Sequence, residues 1–83
     1  MDTEQGLRTV LADVLNLGGR ADALGPSSPL LGALPELDSM AVAALIAAIE
    51  EDFGVTFEDE DLSEETFATF GSLAAVIAAR RPG

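Results

Sequence analysis

The sequence contains no histidine, cysteine, lysine, tyrosine or tryptophan among its 83 residues. Those absences remove most nucleophile chemistry: a Ser-His-Asp triad, a Cys-His pair, a Ser-Lys dyad and a Schiff-base lysine each need a residue that is missing. Only carboxylates remain for acid–base work, and so short a chain offers little cleft to hold a pair of them. An independent enzyme is not expected. Without cysteine there are neither disulfides nor thiolate ligands. Positive charge is scarce as well: Arg8, Arg20, Arg80 and Arg81 are the only cations against 15 acids, for a net charge of −11. No base falls within residues 21–79, which hold twelve of the acids. Such a surface repels phosphate backbones and anionic lipid, so the expected partner is a basic protein surface, not nucleic acid or membrane. The plain alternative is an acidic face that is merely solvated. The first ten residues lack a basic start and an apolar stretch, so no signal peptide is expected. The longest apolar run, residues 40–49, is ten residues, too short to span a bilayer. A cytoplasmic, soluble monomer is expected, since self-repulsion at this charge discourages self-association.

What is present is apolar residue in quantity, 48% of the chain, enough for one small core and one domain over residues 1–83. Leu7, Val10, Leu11, Val14 and Leu15 recur at helical spacing, predicting an amphipathic helix over 3–17, capped by Asp2 or Thr3 and ended by Gly18-Gly19. Residues 19–37 form a long connection punctuated by Pro26, Pro29 and Pro35. Leu24, Leu30, Leu31 and Leu34 can pin it to the core, with one short helical turn over 29–34. A second helix is predicted over 39–53, with Val42, Leu45, Ile46, Ile49 and Phe53 as its buried stripe and Gly54 as its left-handed stop. Val55 and Phe57 alternate with Thr56, which suits a scrap of strand or two inward anchors in a loop; anchors are the expectation. Asp61 or Ser63 caps a short third helix through Phe67, and Thr69 or Gly71 starts a fourth. In that fourth helix Leu73, Val76 and Ile77 face inward, and Arg80-Arg81 lie near the negative end. The expected fold is all-α: a four-helix bundle with a long loop between helices 1 and 2 and a short third helix.

The most informative stretch is PELDSMAVAALIAAIEEDFGV, residues 35–55. An Asp-Ser pair before an apolar helix is ordinarily an N-cap. Here the hydroxyl of Ser39 closes a long loop and stands on the first helical turn, where free N–H groups and the positive end of the dipole make a seat for a phosphodiester. Nothing in the chain could activate it as a nucleophile, so it makes better sense as an attachment point modified by another enzyme. The acidic loop FEDEDLSEETF invites a calcium reading as well. An EF-hand begun at Asp59 would need glycine at position 64 and glutamate at position 70; the chain has Glu64 and Phe70, and that reading fails.

The arrangement of helix, long loop, DSM at Asp38-Ser39-Met40, apolar helix, EEDFG, acidic loop and TFGSLAAVI resembles the acyl carrier protein family over nearly the whole chain. The resemblance implies a carrier, not an enzyme, with 4′-phosphopantetheine attached covalently to Ser39 by a phosphopantetheinyl transferase. It implies that Asp38 supports the magnesium-dependent transfer of this arm from coenzyme A. Acyl groups would then ride as thioesters to partner enzymes in a lipid, polyketide or related pathway, sheltered between helices by residues such as Leu45, Ile49 and Phe67. The partners implied are the transferase and acyl-activating ligases, synthases or acyltransferases with basic docking surfaces. The chain departs from the family's pattern at Glu36, where a glycine is common, and at Ala41 and Ala44, where fatty-acid carriers place acids. Met40, Ala41, Ala44 and Ala48 are read as an uncharged outward strip beside Ser39 that serves, with Glu50 and Glu51 of the acidic stretch 50–52, in partner recognition; alanines chosen only as good helix formers would look the same. The wording LLGALPELDSMAV resembles specialised carriers associated with exosortase and exopolysaccharide gene clusters. Two alternatives stay open: an aminoacyl or peptidyl carrier, and an acidic protein-interaction module in which Ser39 is only a cap.

Overall fold

The computed structural model describes residues 3–81. It is helical, in the order α1 (Thr3–Leu15), α2 (Ser39–Phe53), α3 (Glu64–Ala68) and α4 (Phe70–Arg80), with 3-10 turns at Gly18–Ala23 and Asp59–Asp61. The expected all-α bundle with a long first crossover and a short third helix is what the chain adopts. Val55 and Phe57 are buried loop anchors, with no strand among the described residues.

Each helix end has an identifiable cause. Helix α1 stops two residues earlier than its apolar spacing predicts, because Asn16 takes the left-handed conformation at φ 57°. The Leu17 N–H then returns to the Ala12 carbonyl at 3.1 Å, a Schellman closure that leaves Leu17 buried in the core rather than in the helix. The proposed cap at Asp2 lies outside the described residues, and Thr3 is the first residue of the helix. Helix α2 begins at Ser39 behind the cap Asp38 and stops at Gly54, whose φ of 67° is left-handed as expected. Ser63 caps α3, accepting the Thr66 N–H at 3.3 Å. Asp61 serves the preceding 3-10 turn instead, accepting the Glu58 N–H at 2.9 Å. Thr69 caps α4 in a reciprocal box with Ser72.

The long connection is not structureless. Its first part is the 3-10 turn, anchored by buried Ala21. Its middle is stitched to the junction of α3 and α4. The Leu30 and Leu31 N–H groups donate to the Ala68 and Phe67 carbonyls at 2.9 and 3.0 Å, and the Pro26 and Ser28 carbonyls accept from Gly71 and Phe70 at 2.9 and 2.8 Å. The loop thus satisfies orphan groups at the end of one helix and the start of the next. The turn expected over 29–34 is a single one, closed by the Leu34 N–H on the Leu30 carbonyl at 3.0 Å. Leu30 is wholly buried and Leu24 and Leu34 pack against the core, but Leu31 is 39% exposed.

The core gathers Leu7, Val10 and Leu11 of α1, Leu45 and Ile49 of α2, Phe67 of α3, and Phe70, Leu73 and Ile77 of α4. Val42, Ile46, Phe53 and Val76 are only partly buried at its edge. The four arginines all brace this frame. Arg8 donates to the Leu24 carbonyl at 2.9 Å and stacks over Phe70, 5.1 Å from the ring centre. Arg80 pairs with Asp61 at 2.9 Å, and Arg81 reaches Thr3 at 2.9 Å and lies over Phe53. Arg20 pairs with Glu36. Each arginine thus makes contacts within the fold, and the net charge of −11 leaves the outward field dominated by the acids.

Candidate functional site

The candidate site is the entry to α2. Asp38 is extended (φ −96°, ψ −177°), and its Oδ1 accepts the Ala41 N–H at 2.8 Å while its carbonyl accepts the Val42 N–H at 2.9 Å. The cap is therefore Asp38, and Ser39 is the first residue inside the helix. Ser39 is exposed, and none of the described residues hydrogen-bonds to its hydroxyl. An exposed, uncommitted hydroxyl at the positive end of a 15-residue helix suits a phosphodiester-linked group, whose charge the helix end favours.

The loop before Asp38 is held from two sides. Leu37 is buried, and its N–H donates to the Leu34 carbonyl at 3.0 Å. Glu36 accepts a two-pronged contact from the Arg20 guanidinium, at 2.5 and 3.2 Å. That contact, helped by a backbone N–H, holds the Glu36 carboxyl below the ordinary carboxylate range. Glu36, read from the sequence only as a departure from pattern, thus has a structural task. Its partner Arg20 carried no periodic signal that could have marked it.

Along α2 the structure redraws the expected outward strip. Met40 is 82% exposed and Ala44 is exposed, but Ala41 and Ala48 are half-buried against the core. Ala43 and Ala47 take their place outside, so the exposed face runs Met40, Ala43, Ala44, Ala47, Glu51. Sequence reasoning overlooked Ala43 and Ala47, although a 3.6-residue period through Met40 and Ala44 points to both. Glu50 is half-buried and accepts the Phe57 N–H at 2.9 Å, so it fastens the loop after α2.

Beside this face lies a cavity of about 200 Å³ lined by Leu31, Val42, Ile46, Leu62, Ser63, Glu64 and Phe67. Leu45 and Ile49, expected to line such a shelter, are instead wholly buried in the core. They sit one helical step from the cavity, and Val42 and Ile46 present the wall. Leu31 and Leu62 (48% exposed) form its apolar rim. No described helix is long and apolar enough to cross a membrane.

Residues 5–77 match the family model described as phosphopantetheine attachment site. None of the curated proteins compared with the chain matches it. Among solved structures, the holo acyl carrier protein of Nitrosomonas europaea is 48% identical over 95% of each chain, with a TM-score of 0.88. An engineered Bradyrhizobium japonicum glycine:[carrier protein] ligase, complexed with carrier protein from Agrobacterium tumefaciens, also provides matching chains. With ATP the match has a TM-score of 0.79 at 26% identity, covering 93% of this chain and 97% of that one. With AMP the values are 0.75 and 27%, covering 90% and 97%. The chain belongs to the phosphopantetheine attachment family. It is a carrier protein and not a catalyst, and its cofactor is covalently attached 4′-phosphopantetheine. The reading as an acidic interaction module gives way accordingly.

Proposed function

We propose that Ser39 is the attachment residue and that residues 1–83 work as a single acyl carrier domain in a lipid, polyketide or related pathway. The observation that carries the assignment is the exposed hydroxyl of Ser39, left free because Asp38 does the capping. When bound, 4′-phosphopantetheine supplies a flexible arm ending in a thiol, on which an acyl group is held as a thioester. The protein's own part is to present Ser39 at the positive end of α2 and to offer an apolar recess nearby. Asp38 uses Oδ1 for the cap, which leaves its second oxygen for the magnesium ion of the transfer reaction. Asp38 would hold that ion by this one oxygen, and among the described residues no group of three or more His, Cys, Asp or Glu could hold a metal ion.

The partners we infer are a phosphopantetheinyl transferase and acyl-handling enzymes with a basic rim, among them an acyl-activating ligase. With each arginine engaged by a carboxylate, carbonyl, hydroxyl or ring of the fold, the carrier offers such enzymes chiefly acids and uncharged surface. We take the carrier to act as a cytoplasmic monomer. The acyl reading is favoured over the aminoacyl one by the cavity, five of whose seven lining residues, Leu31, Val42, Ile46, Leu62 and Phe67, are apolar and suit an acyl chain, with Glu64 the single charge among them. The likeness to chains from the glycine:[carrier protein] ligase complexes supports an aminoacyl cargo as the second reading.

The test is intact mass after incubation with coenzyme A, magnesium and a broad-specificity transferase. One phosphopantetheine group should be gained, located by peptide mass on Ser39, with Ser27, Ser28, Ser63 and Ser72 unmodified. Amide shifts at Val42, Ile46 and Phe67 on octanoyl but not glycyl loading would support the acyl reading; the reverse pattern would favour the aminoacyl one.

A further inference from the structure

Arg20 stands in the 3-10 turn Gly18–Ala23, a segment fixed to the core by buried Ala21 and the neighbouring Leu17. From there its guanidinium reaches across 16 residues to grip both carboxylate oxygens of Glu36, Nη1 to Oε2 at 2.5 Å and Nη2 to Oε1 at 3.2 Å. The Glu36 carbonyl in turn accepts the Asp38 N–H at 3.1 Å, and Asp38 caps the helix that Ser39 opens. A continuous line of polar contacts therefore runs from a core-anchored turn to the residue before Ser39. The pair is open to solvent on the arginine side, with the Arg20 side chain 57% and the Glu36 side chain 30% exposed. An exposed pair does little for global stability. It can, however, choose among conformers of a short loop, and the fork geometry of arginine fixes direction as well as distance.

We propose that Arg20 is a positioning residue for the modification of Ser39: through Glu36 it holds the entry to α2 in the conformation that a phosphopantetheinyl transferase docks. The inference rests on the assignment of Ser39 as the attachment residue. In that transfer Ser39 Oγ gives its proton to a base of the transferase or to water and bonds to phosphorus. The phosphoanhydride bond of coenzyme A breaks, and adenosine 3′,5′-bisphosphate leaves. Arg20 takes no part in these bond changes. Its effect is on the fraction of carrier molecules whose loop is ready to bind, and apparent affinity falls in proportion to that fraction.

The experiment measures KM and kcat for phosphopantetheine transfer to the full chain at saturating coenzyme A and magnesium. The variants are Arg20→Ala, Glu36→Gln, Arg20→Lys and the exchange Arg20→Glu with Glu36→Arg. Given the modest strength of exposed pairs, Arg20→Ala and Glu36→Gln should each raise KM by about 2- to 5-fold with kcat unchanged. Arg20→Lys, which keeps the charge but not the fork, should fall between, and the exchanged pair should return KM towards wild type. Hydrogen exchange at the Asp38 amide should quicken in the single variants while the amides of α1 and α4 keep their protection. An unchanged KM in both single variants, beside a normally modified wild type, overturns the positioning role alone. So does full rescue by Arg20→Lys, which would make Arg20 a charge read by the enzyme, and so does an exchanged pair as poor as the single variants. A wild type that accepts no group at Ser39 overturns the attachment assignment and this role with it.

Discussion

Asp38 Oδ1 lies 2.8 Å from the Ala41 amide nitrogen and caps α2, so the neighbouring Ser39 carries no structural duty. The two adjacent residues should respond oppositely to truncation. Asp38→Ala removes the cap and should cost about 1 kcal/mol of stability, with α2 fraying at its start. Ser39→Ala should unfold within a few tenths of a kcal/mol of wild type, yet take up no phosphopantetheine. Urea unfolding and intact mass on the two variants check this, and a Ser39→Ala protein as destabilised as Asp38→Ala would contradict the division of labour.

The crossing of the long loop over α4 sets a second expectation. Gly71 donates its N–H to the Pro26 carbonyl at 2.9 Å. A β-carbon built on Gly71 would lie 2.4 Å from that same oxygen. Both partners are backbone, so neither can swing aside. Gly71→Ala should destabilise by about 1–3 kcal/mol, although alanine is the better helix former. Gly19→Ala meets open space and should change stability little. Equal melting temperatures for the two variants would show that the loop does not sit against α4 as described.

A third expectation concerns pH. Asp61, its side chain 11% exposed, accepts Arg80 Nε at 2.9 Å, and that hydrogen bond, followed by the one from the Glu58 N–H, holds its carboxyl below the ordinary range. A folded-state pKa lower than the unfolded one contributes stability that is complete above the unfolded value, about 4, and is lost as pH falls through the folded value. Asp61→Asn keeps an acceptor for Glu58 but gives up the charge. The variant should be less stable than wild type at pH 7, and the gap should close progressively below about pH 4. Urea midpoints at pH 7, 5, 4 and 3 measure it; a gap that stays constant would rule out the ion pair as its cause.

Much of this molecule is legible in the sequence wherever its chemistry is local. The bounds of α2 follow from Asp38 before it and Gly54 after it, and the anchors Val55 and Phe57 from their alternation. Asp38-Ser39 could be singled out because cap chemistry and an unused hydroxyl are properties of neighbouring residues. What escaped was tertiary. The segment GGRADA has no apolar period, and its 3-10 turn exists because Ala21 and Leu17 find the core. The end of α1 depended on whether Asn16 or Gly18 would take the left-handed position, and both carry positive φ. The family resemblance implied a shelter lined by Leu45, Ile49 and Phe67; Phe67 does line the cavity, while Leu45 and Ile49 lie wholly in the core and Val42 and Ile46 form the wall, a distinction that helical spacing does not make. The Arg20–Glu36 grip joins residues that no sequence period connects.

The last expectation concerns partners, and it follows from what α2 shows to solvent. From Ser39 to Ile49 the helix bears no charge, and its outward residues Met40, Ala43, Ala44 and Ala47 are followed by Glu51. An enzyme docking beside Ser39 must meet small apolar side chains there and an acid further along. Ala44→Glu places an unpaired charge at the centre of such a contact and should lower kcat/KM for the acyl-loading enzyme about 10-fold or more, with helicity unchanged. Glu51→Lys sits at the rim. It should lower kcat/KM by a smaller factor, roughly 2- to 5-fold, chiefly through slower association, and the deficit should shrink as salt is raised. Glu50→Ala should behave differently again, because it removes the acceptor of the Phe57 N–H: its effect should appear in the melting temperature before it appears in transfer. Normal acyl transfer by both Ala44→Glu and Glu51→Lys would move recognition off α2 and onto the loop of residues 24–37, whose exposed Leu31 flanks the same cavity.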